Sequence, residues 1–312
     1  MTSSSLPAAD RPAPHKRPRS PSSQGGRATF LAWAFIVPAF AFYIAFVLVP
    51  VVMTFYYSLL RWDGIGKAQF RGLSNYFVVL SESDFLQILG NAFQLVAYFT
   101  VIPVAIGLAV ASAIRNHLGG RFGATARTVL FIPQVIPLVA AGIAWTWMFA
   151  TNGVVNQVLR FIGLDSITRG WLGDFDFALP AVGVIGAWVL LGLCTMLLVT
   201  GISRIEPSLY EAAKIDGASS WDEFRWITLP GLRQEIGVCV TVTVIAALAS
   251  FDIVYIATGG GPGIQTTVPG LEIYRLAFAH RQVGLASALA VVLMLLVILC
   301  ILPIQWLTRQ PK

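Results

Sequence analysis

The sequence is poor in charge, cysteine and histidine. Only 12% of its 312 residues are Asp, Glu, Lys or Arg, whereas a soluble domain carries roughly 25%, so an ordinary soluble domain is excluded. The three cysteines, Cys194, Cys239 and Cys300, lie in apolar stretches, and a disulfide framework is not expected. The three histidines fall in a tail and in two different loops, so no shared metal site is expected.

Motifs for nucleotide binding and catalysis are missing as well. No G-x-x-x-x-G-K-[ST] phosphate loop occurs, and the glycine run 259–262 lacks the lysine that such a loop needs. We interpret that run as a tight turn. No Ser, His and Asp residues group into a plausible shared site. The chain is therefore expected to have no catalytic activity and to bind no cofactor of its own.

Apolar residues dominate instead, at 56% of the chain, with a mean hydropathy of +0.75. A stretch of about 20 apolar residues can cross a hydrocarbon core of ~30 Å. Six stretches qualify: 30–52, 91–113, 129–149, 179–202, 236–258 and 283–307. The predicted fold class is all-α, a polytopic membrane protein with six transmembrane helices. Pro133 and Pro137 flank Gln134 and predict a kink in the third span.

The first 28 residues are rich in Ser, Pro and Arg and have few large apolar residues. Such a segment cannot bury a core, so we predict a disordered basic tail over 1–28 and a membrane domain over 29–312. No small-residue cleavage site follows a short apolar core, which argues against a signal peptide. In so apolar a chain the net charge of +6 indicates topology and lipid contact rather than nucleic-acid binding.

The distribution of basic residues predicts the orientation of the spans. Counted from the tail onward, the odd-numbered hydrophilic segments hold fourteen of the 21 Lys and Arg residues and the even-numbered segments hold seven. Because basic loops stay in the cytoplasm, both termini and the segment 207–230 are predicted to be cytoplasmic.

That segment is a long polar run between the fourth and fifth spans. Pro207 suits the first turn of a helix, and Gly217 suits its end, where a positive φ is needed. Ser220 and Glu223 match a capping box that would start a second helix, and Pro230 is expected to limit its length. The run is either an ordinary helical loop or a rigid peg that a soluble partner grips.

The same run carries a long, spaced motif. Its fixed positions are Glu211, Ala212, Ala213, Gly217, Ile227, Leu229 and Pro230. This pattern resembles the EAA loop of ABC-importer membrane subunits. Tyr210 and the IDGA run 215–218 are similar to the carbohydrate-uptake branch of that family, which the maltose transporter typifies. The resemblance covers about 85–307 and is weaker in the first span.

The resemblance implies the membrane domain of a type I ABC importer in a prokaryotic plasma membrane. Its implied partners are a second homologous permease, two ATPase subunits that bind ATP and Mg and dock on the EAA loops, and an extracytoplasmic sugar-binding protein. Membrane lipid is a further partner and nucleic acid is not. The alternatives are an importer of glycerol-3-phosphate or a polyol, and an ATP-independent carrier or channel.

A few polar residues inside the spans are candidates for the solute pathway. Asp252 lies in the fifth span, where an ionisable residue is expensive and commonly functional; it either lines the pathway or pairs with a neighbouring helix. Asn91, Gln94 and Tyr98 share one face of the second span at i, i+3 and i+7. They either bind a hydroxyl-rich solute or hold helices together. We favour the second role for Asn91 and leave both open for the other two.

Overall fold

The computed structural model describes residues 25–116 and 121–308 and the side chains of 33–115 and 123–308. It divides into two units, Met1–Val52 and Met53–Lys312. The first helix is α1 (Gly25–Tyr43), followed by a π-helical turn (Ile44–Leu48) and α2 (Val49–Ser58). The predicted tail 1–28 lies outside the described residues except for 25–28. Those four form the first turn of α1, and the disorder predicted for the rest of the tail stays a prediction.

A small hairpin and a short helix follow the first span. Strands β1 (Leu60–Arg61) and β2 (Gln69–Phe70) pair antiparallel, with Leu60 opposite Phe70. Helix α3 (Ser74–Ser81) lies beside them, where the Asn75 side-chain amide donates to the carbonyls of Ser58 (2.8 Å) and Leu60 (2.9 Å). These bonds fix the hairpin to the end of the first span.

The remaining chain is almost wholly helical. Its first four helices are α4 (Ser83–Asn116), α5 (Arg121–Val135), α6 (Leu138–Met148) and α7 (Val154–Phe161). Two 3₁₀ turns, Asp165–Ile167 and Trp171–Gly173, lead to α8 (Ala178–Ile202) and α9 (Pro207–Ile215). The last six helices are α10 (Ser220–Glu223), α11 (Leu229–Gly231), α12 (Arg233–Leu248), α13 (Asp252–Ala257), α14 (Pro269–Tyr274) and α15 (Val283–Thr308).

Four of these helical runs are long and apolar enough to cross a membrane by themselves: Trp33–Ser58, Ser83–Arg115, Ala178–Ile202 and Val283–Thr308. Two further runs qualify as bent pairs, Gly123–Val135 with Leu138–Met148 and Ser220–Gly231 with Arg233–Leu248. If each bent pair is one span, the described residues hold six candidate spans. This agrees with the predicted all-α, six-span class, although only four of the six are continuous.

The third span bends by 100° between α5 and α6. Pro137 is the N-cap of α6. A residue that precedes proline is disfavoured in the helical region, which interrupts the helix at Ile136. The side-chain oxygen of Gln134 is buried at this bend without a hydrogen-bond partner among the described residues. The paired prolines therefore act as the sequence predicts, with a larger bend than an ordinary kink.

The predicted continuous fifth span 236–258 is wrong. Helix α12 ends at Leu248, residues 249–251 are not helical, and Asp252 begins the separate helix α13. Neither glycine nor proline marks the break in the sequence. At the break the chain packs against α14, where Gly270 lies so close that a Cβ there would be 2.9 Å from the carbonyl oxygen of Ser250.

The core lies where α8 crosses its neighbours. A Cβ at Gly186 would fall 2.0 Å from the ring of Phe99 on α4, and one at Gly192 would fall 2.3 Å from the carbonyl oxygen of Leu130 on α5. Helices in membranes associate by close approach through small residues, because the surrounding lipid provides no hydrophobic driving force for their association. Leu95 and Ile185 fill the space between α4 and α8 and are fully buried.

Candidate functional site

The polar run 207–230 folds at the end of the bundle where α4 and α8 terminate. Helix α9 begins at Pro207. It ends before Gly217, which has φ +80°. The N–H groups of Gly217 and Ala218 donate to the carbonyls of Lys214 (3.1 Å) and Ala213 (2.9 Å), closing the last turn. The predicted limits of this helix are confirmed.

The capping box of the second helix lies one residue earlier than predicted. Ser219, not Ser220, is the N-cap, and its hydroxyl accepts from the N–H of Asp222 at 3.3 Å. The Asp222 carboxylate in turn accepts from the N–H of Ser219 at 3.0 Å. An aspartate can close this box as glutamate would, so Glu223 is free for another contact.

The second helix runs to Gly231, one residue past Pro230. It continues from α10 through a π-helical turn (Phe224–Thr228) into α11, and passes Pro230 before it bends by 68° into α12. In the π turn the N–H of Leu229 donates to the carbonyl of Phe224, five residues back. Pro230 has no N–H and so adds no further backbone hydrogen bond to this helix. The helix ends at Gly231, one residue after Pro230, so the expected limit on its length is confirmed.

Three side chains join the loop to the second span. Glu223 is 5% exposed, and its carboxylate lies 3.4 Å from the Arg115 guanidinium at the end of α4. That guanidinium also lies over the ring of Tyr210, 3.1 Å from its centroid. The Tyr210 hydroxyl is 3.1 Å from the hydroxyl of Thr228. We call Arg115, Tyr210 and Glu223 the latch, because they bind both loop helices to α4.

Sequence reasoning missed the latch. Arg115 and Glu223 are separated by 108 positions, and no spacing rule links residues that far apart. The misplaced capping box also gave Glu223 a local role that it does not have. The sequence would have pointed to the latch only if Glu223 had been expected to be buried. A buried carboxylate requires a partner of opposite charge.

The outward side of the loop is exposed and partly apolar. Glu211, Ala212 and Gly217 are exposed, as are Leu229 and Pro230, whereas Ala213 and Ile227 are half-buried. Large apolar side chains are exposed among them: Leu209, Ile215 (86%), Trp221 (65%) and Trp226 (69%). Exposed apolar patches of this kind are typical of surfaces that contact another protein or a membrane.

The four candidates for the solute pathway differ in burial and in hydrogen bonding. Asn91 is buried, and its amide donates to the carbonyls of Ile264 (3.0 Å) and Thr267 (2.9 Å) in the loop before α14. Gln94 is exposed, and Tyr98 is half-buried on α4. Asn91 therefore makes a structural contact, while the other two keep polar atoms available.

Asp252 is exposed as the first residue of α13, directly after the break in the fifth span. A row of aromatic rings surrounds this break. Phe251 stacks on Tyr255 with centroids 5.3 Å apart, and Tyr274 lies 5.5 Å from Phe251 and 5.3 Å from Phe278. Because Asp252 and Tyr255 are three residues apart on one helix, both polar groups lie on the same exposed face.

The glycine run 259–262 is a tight turn, as expected. Gly259 and Gly260 have φ +59° and +92°, and the Arg275 guanidinium donates to the Gly259 carbonyl. Within the described part of the chain, no three His, Cys, Asp or Glu side chains come together as a metal site.

The sequence of this chain is similar to those of known transport proteins. A family model described as "Binding-protein-dependent transport system inner membrane component" matches residues 102–310. The diacetylchitobiose uptake system permease protein NgcF of Streptomyces coelicolor is 33% identical over 300 residues, which covers 92% of this chain and 85% of that protein. The trehalose/maltose transport system permease protein MalF of Thermococcus litoralis is 33% identical over 276 residues, which covers 86% of this chain and 90% of that protein.

Solved structures agree on the fold. A crystal structure of a bacterial alginate ABC transporter, in complex with a periplasmic protein that carries an alginate pentasaccharide, contains a chain that superposes with a TM-score of 0.75. The sequence identity is 20%, and the match covers 93% of this chain and 98% of the other. This likeness concerns the arrangement of the helices.

Proposed function

The chain belongs to the family of binding-protein-dependent transport system inner membrane components, and from this premise we propose that it forms the translocation pathway of an ATP-driven importer for a sugar. It is a transport permease of a membrane, and not an enzyme. The proposal rests on the helical loop 207–230, which is compact and exposed and is joined to the second span by the latch. The names of NgcF and MalF, which refer to sugars, support the choice of solute.

The loop 207–230 is the proposed docking element for an ATPase subunit that binds ATP and Mg. Its surface offers Glu211 for a basic group and the exposed Ile215, Trp221 and Trp226 for an apolar cleft. Buried aromatic side chains contribute most to affinity at such interfaces. The docking residues carried over from the motif are Glu211, Ala212, Ala213, Gly217, Ile227, Leu229 and Pro230. Movement of the docked ATPase would reach α4 through Arg115.

The solute pathway is proposed to run past the break in the fifth span. There Asp252 offers a hydrogen-bond acceptor, and the rings of Phe251, Tyr255 and Tyr274 offer faces on which a sugar can stack. Gln94 and Tyr98 remain candidates on α4. Asn91 stays a candidate from the sequence, although its amide already holds the loop before α14.

The proposed assembly contains a second homologous permease, two ATPase subunits and an extracytoplasmic sugar-binding protein. Both termini and the loop 207–230 are proposed to lie in the cytoplasm, and the β1–β2 hairpin outside. The charge distribution of the hydrophilic segments supports this orientation.

Cysteine labelling in intact cells tests the orientation. Ile65 in the hairpin and Asp216 in the loop are both exposed, so either can be replaced with cysteine in a chain lacking Cys194, Cys239 and Cys300. We expect a membrane-impermeant maleimide to label Ile65→Cys and not Asp216→Cys, while a permeant maleimide labels both. Labelling of Asp216→Cys and not of Ile65→Cys by the impermeant maleimide would make docking of a cytoplasmic ATPase impossible and would contradict the proposal.

A second experiment tests the solute. The described parts of the spans hold few charged side chains, so a solute with several charges would cross without compensation at a cost of several kcal/mol. We expect a neutral sugar with its binding protein to stimulate ATP hydrolysis by the reconstituted complex, and glycerol-3-phosphate to leave it at the basal rate. Stimulation by the phosphorylated solute and by no sugar would contradict this proposal.

A further inference from the structure

The basic residues of the proposed outer segments fall into two groups. Three of the seven are each within 4 Å of a carboxylate: Arg160 with Asp165, Arg169 with Asp174, and Arg275 with Glu272. The side chains of the other four make no ion pair or hydrogen bond among the described residues. These four are Arg61, Lys67, Arg71 and Arg281.

All four unpaired cations line one cleft of about 840 Å³ between the β1–β2 hairpin, α3 and the start of α15. Among the described lining residues the one carboxylate is Asp63, and it is engaged in its own loop. It accepts from the N–H groups of Ile65 (3.0 Å) and Gly66 (2.7 Å). These bonds, with a smaller contribution from the charge of Arg281, hold the pKa of Asp63 below its usual range. Four cations against one carboxylate leave the cleft with a net positive charge.

The start of α15 adds to this positive potential. The helix is 26 residues long and begins at Val283, on the wall of the cleft. The helix dipole at such an end favours anions, and the N–H of Gly284 there donates to the carbonyl of Trp62 at 3.3 Å. Gly284 lies so close to the hairpin that a Cβ there would be 1.9 Å from the carbonyl oxygen of Leu60. The start of α15 is therefore packed closely against the hairpin.

The surroundings of the cleft suit an amphiphile. Trp62, on its rim, packs against Tyr57 with ring centroids 4.7 Å apart, and such aromatic residues favour the level of lipid headgroups. Val78 and Leu285 provide apolar patches inside the cleft. The neighbouring face of α3 exposes Phe77 (71%).

We propose that this cleft binds the phosphodiester headgroup of an anionic phospholipid. The cations would contact the phosphate, and the acyl chains would pass over the exposed face of α3. Assignment to the outer leaflet rests on the proposed orientation. Since basic residues are disfavoured on that side, four that converge without protein partners indicate a ligand rather than a solvated surface.

The test uses the full-length chain in detergent and counts bound lipid by native mass spectrometry during titration with dioleoylphosphatidylglycerol or dioleoylphosphatidylcholine. We expect the phosphatidylglycerol to bind more tightly. Each single replacement, such as Arg71→Gln, should weaken it about fivefold, since one basic side chain contributes ~1 kcal/mol. The triple variant Arg61→Gln, Lys67→Gln, Arg71→Gln should weaken it roughly a hundredfold, since the contributions of separate side chains add. The matched control is Arg160→Gln, an exposed and ion-paired cation of the same side, and it should leave binding unchanged.

Four results would overturn the proposal. Equal binding of the two lipids would remove the role of charge, and unchanged phosphatidylglycerol binding in the triple variant would remove the role of the cleft. Displacement of the lipid by millimolar inorganic phosphate would assign the cleft to a free anion. If the triple variant instead lost stimulation by the binding protein while keeping its lipid, the cleft would be a protein-docking surface. The lipid titration needs no transport, so its outcome is independent of the proposed import function.

Discussion

Replacement of Gly217 with valine should abolish solute-stimulated ATP hydrolysis while the membrane spans stay folded. Gly217 has φ +80°, and no atom lies within 4 Å of the place where its Cβ would be. The substitution therefore causes no clash, and its whole effect comes from the backbone, where a β-branched residue at positive φ is strongly disfavoured. One strained position costs of order 1–3 kcal/mol, which is too little to unfold the packed spans but enough to change the angle between α9 and α10.

The matched control is Gly217→Asn. Asparagine tolerates positive φ far better than valine, and the open space around residue 217 accommodates its side chain. We expect Gly217→Asn to retain ATPase binding on detergent pull-down and to keep most of the stimulated hydrolysis, while Gly217→Val loses both. Equal behaviour of the two variants would show that the dihedral angle of Gly217 has no part in coupling.

Glu211→Lys tests the surface of the same loop. Glu211 is exposed, so reversing its charge should leave membrane insertion and pairing with the second permease intact. If the loop meets a basic group of the ATPase, the variant should lose ATPase retention and stimulated hydrolysis. Full ATPase binding and full transport in both Glu211→Lys and Gly217→Val would remove the loop from the coupling mechanism.

Replacement of Glu223 with alanine should destabilise the protein by roughly 3 kcal/mol, the low end of the range for breaking a buried ion pair. The carboxylate is almost fully buried, and its loss leaves the Arg115 guanidinium without its counterion. The low end applies because the Arg115 side chain keeps 22% of its surface exposed and retains its contact with the Tyr210 ring. A lower unfolding midpoint, followed by tryptophan fluorescence in detergent, is the measurement.

Two further variants separate the stability of the latch from its role in transmission. Asp216→Ala removes the same charge from an exposed position of the loop and should leave the midpoint unchanged. The double variant Arg115→Met, Glu223→Met should recover most of the midpoint, because apolar side chains of similar volume often replace a buried pair without loss. It should nevertheless transport more slowly than the parent protein. An unchanged midpoint for Glu223→Ala would mean that the latch does not hold the loop.

Local rules predicted those parts of the chain that depend on a few neighbouring residues. Hydropathy located the six apolar runs. Pro207 and Gly217 marked the two ends of α9, and Pro137 marked the bend in the third span. Each of these signals acts through the dihedral angles or hydrogen bonds of adjacent residues, so its effect does not require knowledge of the rest of the fold.

The same rules failed where two local solutions were nearly equal. Ser219 with Asp222 and Ser220 with Glu223 both match a capping box, and the sequence does not distinguish them. The burial of Glu223 against Arg115 decides between them, because a charged side chain enters a buried position only with a partner.

The sequence by itself determined that this chain is an all-helical membrane protein with a loop typical of ABC-importer permeases. Hydropathy is a property of short windows, and the loop motif spans only twenty residues. Tertiary structure alone decided the break after Leu248, the latch and the cleft of unpaired cations. Each of them brings together residues that lie far apart in the chain, such as Ser250 with Gly270, Arg115 with Glu223, and the hairpin with Arg281. Such contacts arise only when the spans pack, and packing depends on the shape of every neighbouring side chain at once.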